Sequence, residues 1–314
     1  MEENVSINDK KVNIPKGQEV STSSIIGFSV LGLLFLLCYS YIELIGWMYM
    51  TEGDTTKSLT LMVVCAVVLS VTSFMLPRIK ASNRAFISKR RNFYMFITSF
   101  IFAVAMLVSF FGVSHFDTVY RNESEIVRLY NAGVAEAREL YPNYQKYVEQ
   151  RVNQYATVLD KAIASKTKDA SYNEYVGQFP GVSDKKRKEN LIKSLKRTLQ
   201  PTNDKLHENF NNWLNGVGDA NLWNMSFIKN VYVMDSKINN CIEGLTDMSQ
   251  RYFHPGENQV AFTYTKYSST SKLQVLMTTV EFGISWKAIL ALLITAFTLI
   301  MPTLRESIRS RKDC

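Results

Sequence analysis

The chain has 314 residues, a formal net charge of +8 and a hydrophobic fraction of 46%. Charge of this size usually points to an acidic partner, but its distribution excludes a nucleic-acid surface: the loop 78–92 carries six cations and no acid, whereas residues 116–284 balance 21 cations with 19 acids. A disulfide framework is excluded too, because Cys38 and Cys65 lie in apolar blocks, Cys314 is terminal, and only Cys241 falls in the long polar stretch.

Residues 1–23 are polar, mixed in charge and without apolar period, and read as a disordered cytoplasmic tail. Ile25 to Met50 follows as a first span of the roughly 20 residues a helix needs to cross the hydrocarbon core, with Tyr39, Tyr41, Trp47 and Tyr49 placed for a membrane–water interface. A polar turn, Thr51 to Ser58, leads to a second span, Leu59 to Leu76, which Pro77 is expected to end. Phe93 to Ser114 forms the third span and Ile284 to Met301 the fourth, ending before Pro302. The fold class expected is an all-α integral membrane protein: transmembrane helices one to three within 24–115, an extracytoplasmic helical domain over 116–283, helix four over 284–302 and a basic cytoplasmic tail over 303–314.

Orientation follows from the loop between spans two and three. Arg78, Lys80, Arg84, Lys89, Arg90 and Arg91 make it strongly cationic, and short loops of that kind stay on the cytoplasmic side. Counting spans from there puts both termini inside and 116–283 outside, and the basic tail after Pro302 selects the same orientation. The bacterial cytoplasmic (inner) membrane is the compartment expected.

Within the outer domain, Val119, Ile126, Tyr130, Val134 and Ala137 recur at helical spacing, and the pattern resumes after a break at Tyr141-Pro142 with Tyr144, Val148, Val152, Tyr155, Leu159 and Ile163. This long amphipathic segment reads as span three continuing outward. Gly177 to Asp184 is a loop, with Ser183 or Asp184 capping a helix through Leu191, Leu195 and Leu199 that Pro201 stops. Helices are expected over Asn203–Asn215 and Leu222–Met248. Val260, Phe262 and Tyr264 alternate with polar neighbours and fit a short strand or extended linker, and from Lys272 a helix is expected to run unbroken into span four.

Glu43 is the only acid within an apolar span, and Lys287 stands at a similar height in the fourth. Such a carboxylate is costly in lipid, so three readings are open: it reaches the outer headgroups, it pairs with Lys287, or it belongs to a proton or ion relay. Lys185-Lys-Arg-Lys188 reads as a solvated helix start, with an anionic lipid or envelope polymer as the alternative. Trp213 and Trp223 read as core aromatics and His254 as a turn residue, while Asn122-Glu-Ser and Asn224-Met-Ser match a glycosylation sequon without deciding anything. The histidines show no ligand spacing, no metal or cofactor is expected, and motifs for hydrolases, kinases or nucleotide binding do not occur. The reading that results is a non-enzymatic scaffold or structural subunit of an envelope complex. Its partners would be the lipid bilayer, other envelope proteins through 116–283, and a second copy of the chain in a homo-oligomer. The alternatives are a transmembrane sensor and, behind it, an oligomeric channel.

Overall fold

The computed structural model describes residues 22–81, 88–165, 170–177, 181–201, 204–257, 259–264, 269–279 and 285–312. The terminal segments 1–21 and 313–314, which include the tail and Cys314, and the residue Arg84 fall outside them. Every regular element among the described residues is helical, in the order α1 (Thr22–Met50), α2 (Thr55–Ala81), α3 (Ser88–Arg121), α4 (Glu123–Ser165), α5 (Ala170–Gly177), α6 (Asp184–Leu199), α7 (Lys205–Gly216), α8 (Met225–Gln250), α9 (Ser269–Thr278) and α10 (Trp286–Lys312). They divide into two units, one of residues 1–46, 59–114 and 284–314, the other of 47–58 and 115–283.

The first unit is built from apolar helices. Val30–Met50, Thr55–Ile79 and Arg90–Arg121 are long and apolar enough to cross a membrane. Leu33, Leu37, Val64, Val67, Phe74, Phe96, Phe100 and Leu107 stand exposed on them. Water would not tolerate so continuous an apolar exterior, whereas lipid requires it, and the protein is embedded in a membrane. Leu36, Leu69, Phe102, Met106 and Leu299 bring α1, α2, α3 and α10 into one buried cluster, and Tyr39, Val113 and Ala288 form a second. The Ser73 hydroxyl donates to the Leu299 carbonyl at 2.8 Å. The apolar portion of α10, Trp286–Met301, is shorter than the three long spans and is not of membrane-crossing length by the same measure.

In the second unit α4 is the axis, packing against α5, α6, α7, α8 and α9. Its inward stripe carries Leu140, Tyr144, Val148, Tyr155 and Leu159, which meet Leu191, Leu195 and Leu199 of α6, Phe210 of α7 and Leu245 of α8. The turn after α1 belongs here as well. The Tyr49 hydroxyl donates to the Leu222 carbonyl and the Tyr232 hydroxyl to the Tyr49 carbonyl, each at 2.8 Å. Glu52 and Gly53 reverse the chain with φ of 55° and 80°, and Gly53 lies against Lys229 and Tyr232.

Four sequence expectations are corrected. Pro77, Pro142 and Pro302 all sit inside helices. Proline removes one donor and strains one turn, at a cost of about 3 kcal/mol; around Pro142 this is outweighed because Leu140 before it and Tyr144 after it fill the same core. Of the two readings of Val260, Phe262 and Tyr264 the extended linker is the one found: the described residues 259–264 belong to no sheet, and Phe262 is held by its N–H donating to Ser249 Oγ at 2.9 Å. The helix from Lys272 does not run unbroken into α10. Thr279 is non-helical, and Ser285 Oγ accepts from the N–H groups of Lys287 and Ala288, as an N-cap opening a new helix does.

Candidate functional site

In the membrane unit the polar centre is Glu43, fully buried on α1. Ser109 of α3, equally buried, donates to Glu43 Oε2 at 2.6 Å. The Cys65 thiol of α2 and the Tyr39 phenol flank the carboxyl. The Tyr39 hydroxyl neighbours Ser109 but has no hydrogen-bond partner of good geometry. Three helices therefore converge polar groups on one carboxyl in an apolar surrounding. Lys287 stands exposed in the first turn of α10, whereas Glu43 is enclosed, so the surroundings of these two predicted partners differ sharply.

One turn further on, Gly46 meets Gly112 so closely that a Cβ added to Gly46 would stand 1.8 Å from the Gly112 carbonyl oxygen. The spacing is the same on both helices, Glu43 to Gly46 and Ser109 to Gly112. Small residues let two membrane helices approach at the backbone, and the Glu43–Ser109 bond fixes that crossing. This pairing was readable in outline as acid-x-x-Gly facing Ser-x-x-Gly, but nothing in the sequence says that α1 and α3 are the helices that cross.

Of the topology cations, Arg78 and Arg90 are exposed and Arg91 is half-buried, with the Arg78 guanidinium 3.9 Å from the Phe74 ring centroid. Lys80 and Lys89 belong to α2 and α3.

The second unit holds a polar cluster that the sequence reading missed. Arg151, only 3% exposed, lies on the buried stripe of α4. Its Nε donates to Glu257 Oε1 at 3.2 Å, its Nη1 to the Ser249 carbonyl at 2.6 Å, and its Nη2 to the Tyr252 carbonyl, while the Phe253 ring stacks on the guanidinium at 4.2 Å. The end of α8 thus receives a cation at its unpaired carbonyls, as the helix dipole favours. Glu257 also accepts from the His254 N–H at 2.6 Å. His254, expected as a plain turn residue, is instead buried: its Nδ1 is 2.7 Å from Glu174 Oε1 of α5, and its ring stacks on Tyr155 with centroids 4.0 Å apart. The available signal for Arg151 was its spacing, three after Val148 and four before Tyr155, which puts a charge on an apolar face.

Burial and hydrogen bonding set the protonation of this unit. The Tyr252 phenol donates to Glu174 at 2.7 Å, which pushes its pKa up to about 12. Burial pushes Tyr175 up to about 12 as well, helped by its 2.6 Å bond to Asp184. Burial likewise raises the Cys241 thiol to about 12, which keeps it protonated and unreactive at neutral pH. Among the described residues no group of three or more His, Cys, Asp or Glu side chains has metal-holding geometry.

Trp213 packs as a half-buried core aromatic, in line with expectation, while Trp223 is partly exposed with its ring edge-on to Phe116 at 4.4 Å. Asn224 caps α8 through Ser226. No protein-family model, curated protein or solved structure matches the chain.

Proposed function

We propose that the protein is a membrane-anchored, non-enzymatic scaffold or structural subunit of a cell-envelope complex, engaging other envelope proteins through the helical domain 116–283. The observation that carries this reading is the fastening of the 47–58 turn to that domain by Tyr49, Leu222 and Tyr232. Both segments are predicted on the outer side, and their contact supports a common side. It also makes the domain a body held by more than its two chain ends, which suits a part that transmits position. Packing of Leu299 and Ala288 with α1 and α3 supports α10 as a fourth crossing, with both termini in the cytoplasm of a bacterial cell.

A second reading, a sensor, is favoured by one feature: only Asn122 separates α3 from α4, so a ligand-driven shift of α4 would reach a membrane-length helix directly. The oligomeric channel rests on Glu43 alone and ranks below both.

Photo-crosslinkable residues at exposed positions of the outer domain, such as Lys146, Lys205 and Lys237, distinguish these readings in intact cells. The scaffold reading expects discrete adducts with other envelope proteins, or with a second copy in a homo-oligomer, from at least one of these faces. Crosslinks to lipid alone from every position would overturn it.

A further inference from the structure

The solvent face of α6 concentrates charge as no other described surface of the outer domain does. Its 16 residues contain Lys185, Lys186, Arg187, Lys188, Lys193, Lys196 and Arg197 against Asp184 and Glu189, within a domain that is otherwise close to balanced. Leu191, Leu195 and Leu199 face the core. At roughly 100° per residue, Lys185, Lys186, Lys193, Lys196 and Arg197 fall in one sector about 120° wide on the side away from those leucines. All five are exposed. The stripe runs three turns, about 18 Å, and Glu189 sits in its middle. Lys188 is engaged separately, by Asp160 of α4 at 2.5 Å.

We propose that this stripe is the docking face for an acidic amphipathic helix of a partner protein, one that carries carboxylates at three- and four-residue spacing and a cation opposite Glu189. The inference rests on the scaffold reading and names its contact. Two observations select a polypeptide. First, α6 has no aromatic residue on which bases could stack and only one arginine in the stripe to fork onto phosphate. Second, Glu189 would repel a continuous array of phosphates at the stripe's midpoint, whereas a partner helix of mixed charge places a lysine there.

The test uses the full chain in zwitterionic nanodiscs and three fluorescent probes at two salt concentrations. They are a 20-residue alanine-based helical peptide with glutamates at three- and four-residue spacing and one central lysine, a 20-nucleotide oligo-dT, and phosphatidylglycerol vesicles. One variant changes Lys185, Lys186, Lys193, Lys196 and Arg197 to Gln, and a charge-matched control changes the exposed Arg138, Lys146, Lys205, Lys237 and Lys272 to Gln. The stripe variant should bind the peptide roughly tenfold or more weakly, with the control within about twofold of the parent chain. Because all ten residues are exposed, thermal melting should be the same in both variants, so a change in binding is not a folding defect. Equal loss in the two variants would mean generic charge attraction, and tighter binding of oligo-dT or of the vesicles than of the peptide would mean a different partner class; either overturns the proposal. A failure here beside adducts formed through Lys237 would remove the α6 contact and leave the scaffold standing.

Discussion

Gly46 and Gly112 bring α1 and α3 to backbone contact, with no room for even a methyl group between them: a Cβ on Gly46 would lie 1.8 Å from the Gly112 oxygen. Carbonyl oxygens of a membrane helix do not move aside as a flexible side chain does. Gly46→Ala should therefore force the helices apart and lower stability in detergent by about 2 kcal/mol or more. Gly32→Ala is the matched control, because its Cβ would meet the Thr298 oxygen at an ordinary 3.5 Å. A thermal melt in which both variants behave alike would remove the tight crossing.

Ser109 is the partner to test for Glu43. Ser109→Ala withdraws a donor from a fully buried carboxyl and should cost about 1–3 kcal/mol. In double-mutant cycles on melting in detergent, Glu43→Gln should couple to Ser109→Ala by about 0.5 kcal/mol or more and combine additively with Lys287→Met. Strong coupling to Lys287 instead would support the ion pair expected from sequence.

Arg151 holds the end of α8 and the following loop onto α4. Arg151→Met leaves Glu257 and two carbonyls buried without their cation, and a loss of about 3–5 kcal/mol is expected in denaturant titration. Arg151→Lys should recover only part, since one ammonium cannot reproduce the fork that meets Glu257 and the Ser249 and Tyr252 carbonyls together.

Alkaline pH should weaken the second, helical unit through Tyr252 and Tyr175. Unfolded, a tyrosine loses its proton near pH 10; folded, these two hold it to about 12, Tyr252 because it donates to Glu174, Tyr175 mainly through burial with help from its bond to Asp184. Between those values the unfolded chain binds fewer protons, so stability is fully present below about pH 10 and falls as pH rises toward 12. Tyr252→Phe with Tyr175→Phe should flatten that part of the curve, which circular dichroism melts across the range would show.

Legibility differed between the two units for a physical reason. Membrane helices announce themselves by length and apolarity, and α6, α7 and α8 by the periodicity of their buried residues, so these were within reach of the sequence, whereas the caps Asp204 and Asn224 that start α7 and α8 were not picked out. Proline was over-read at Pro77, Pro142 and Pro302, because its local cost is visible in sequence and the packing that offsets it is not. Arg151 was passed over in favour of its neighbour Val152, although both fit the helical recurrence and Arg151 is the buried one. Choosing between adjacent positions needs the partner loop at 249–257, which lies 98 and more residues away. Glu43 stood out as an isolated charge, but its surroundings depend on which helix crosses α1.

The bond between Tyr232 and Tyr49 joins residues 183 positions apart. During synthesis at roughly 5–20 residues per second, the turn after α1 therefore emerges some 10–40 s before the residue that fastens it. Throughout that interval the Tyr49 carbonyl lacks the phenol that donates to it. A chain that stalls before α8 is therefore left with its first hairpin unlatched, and closure of the second unit waits on the arrival of its distal helix.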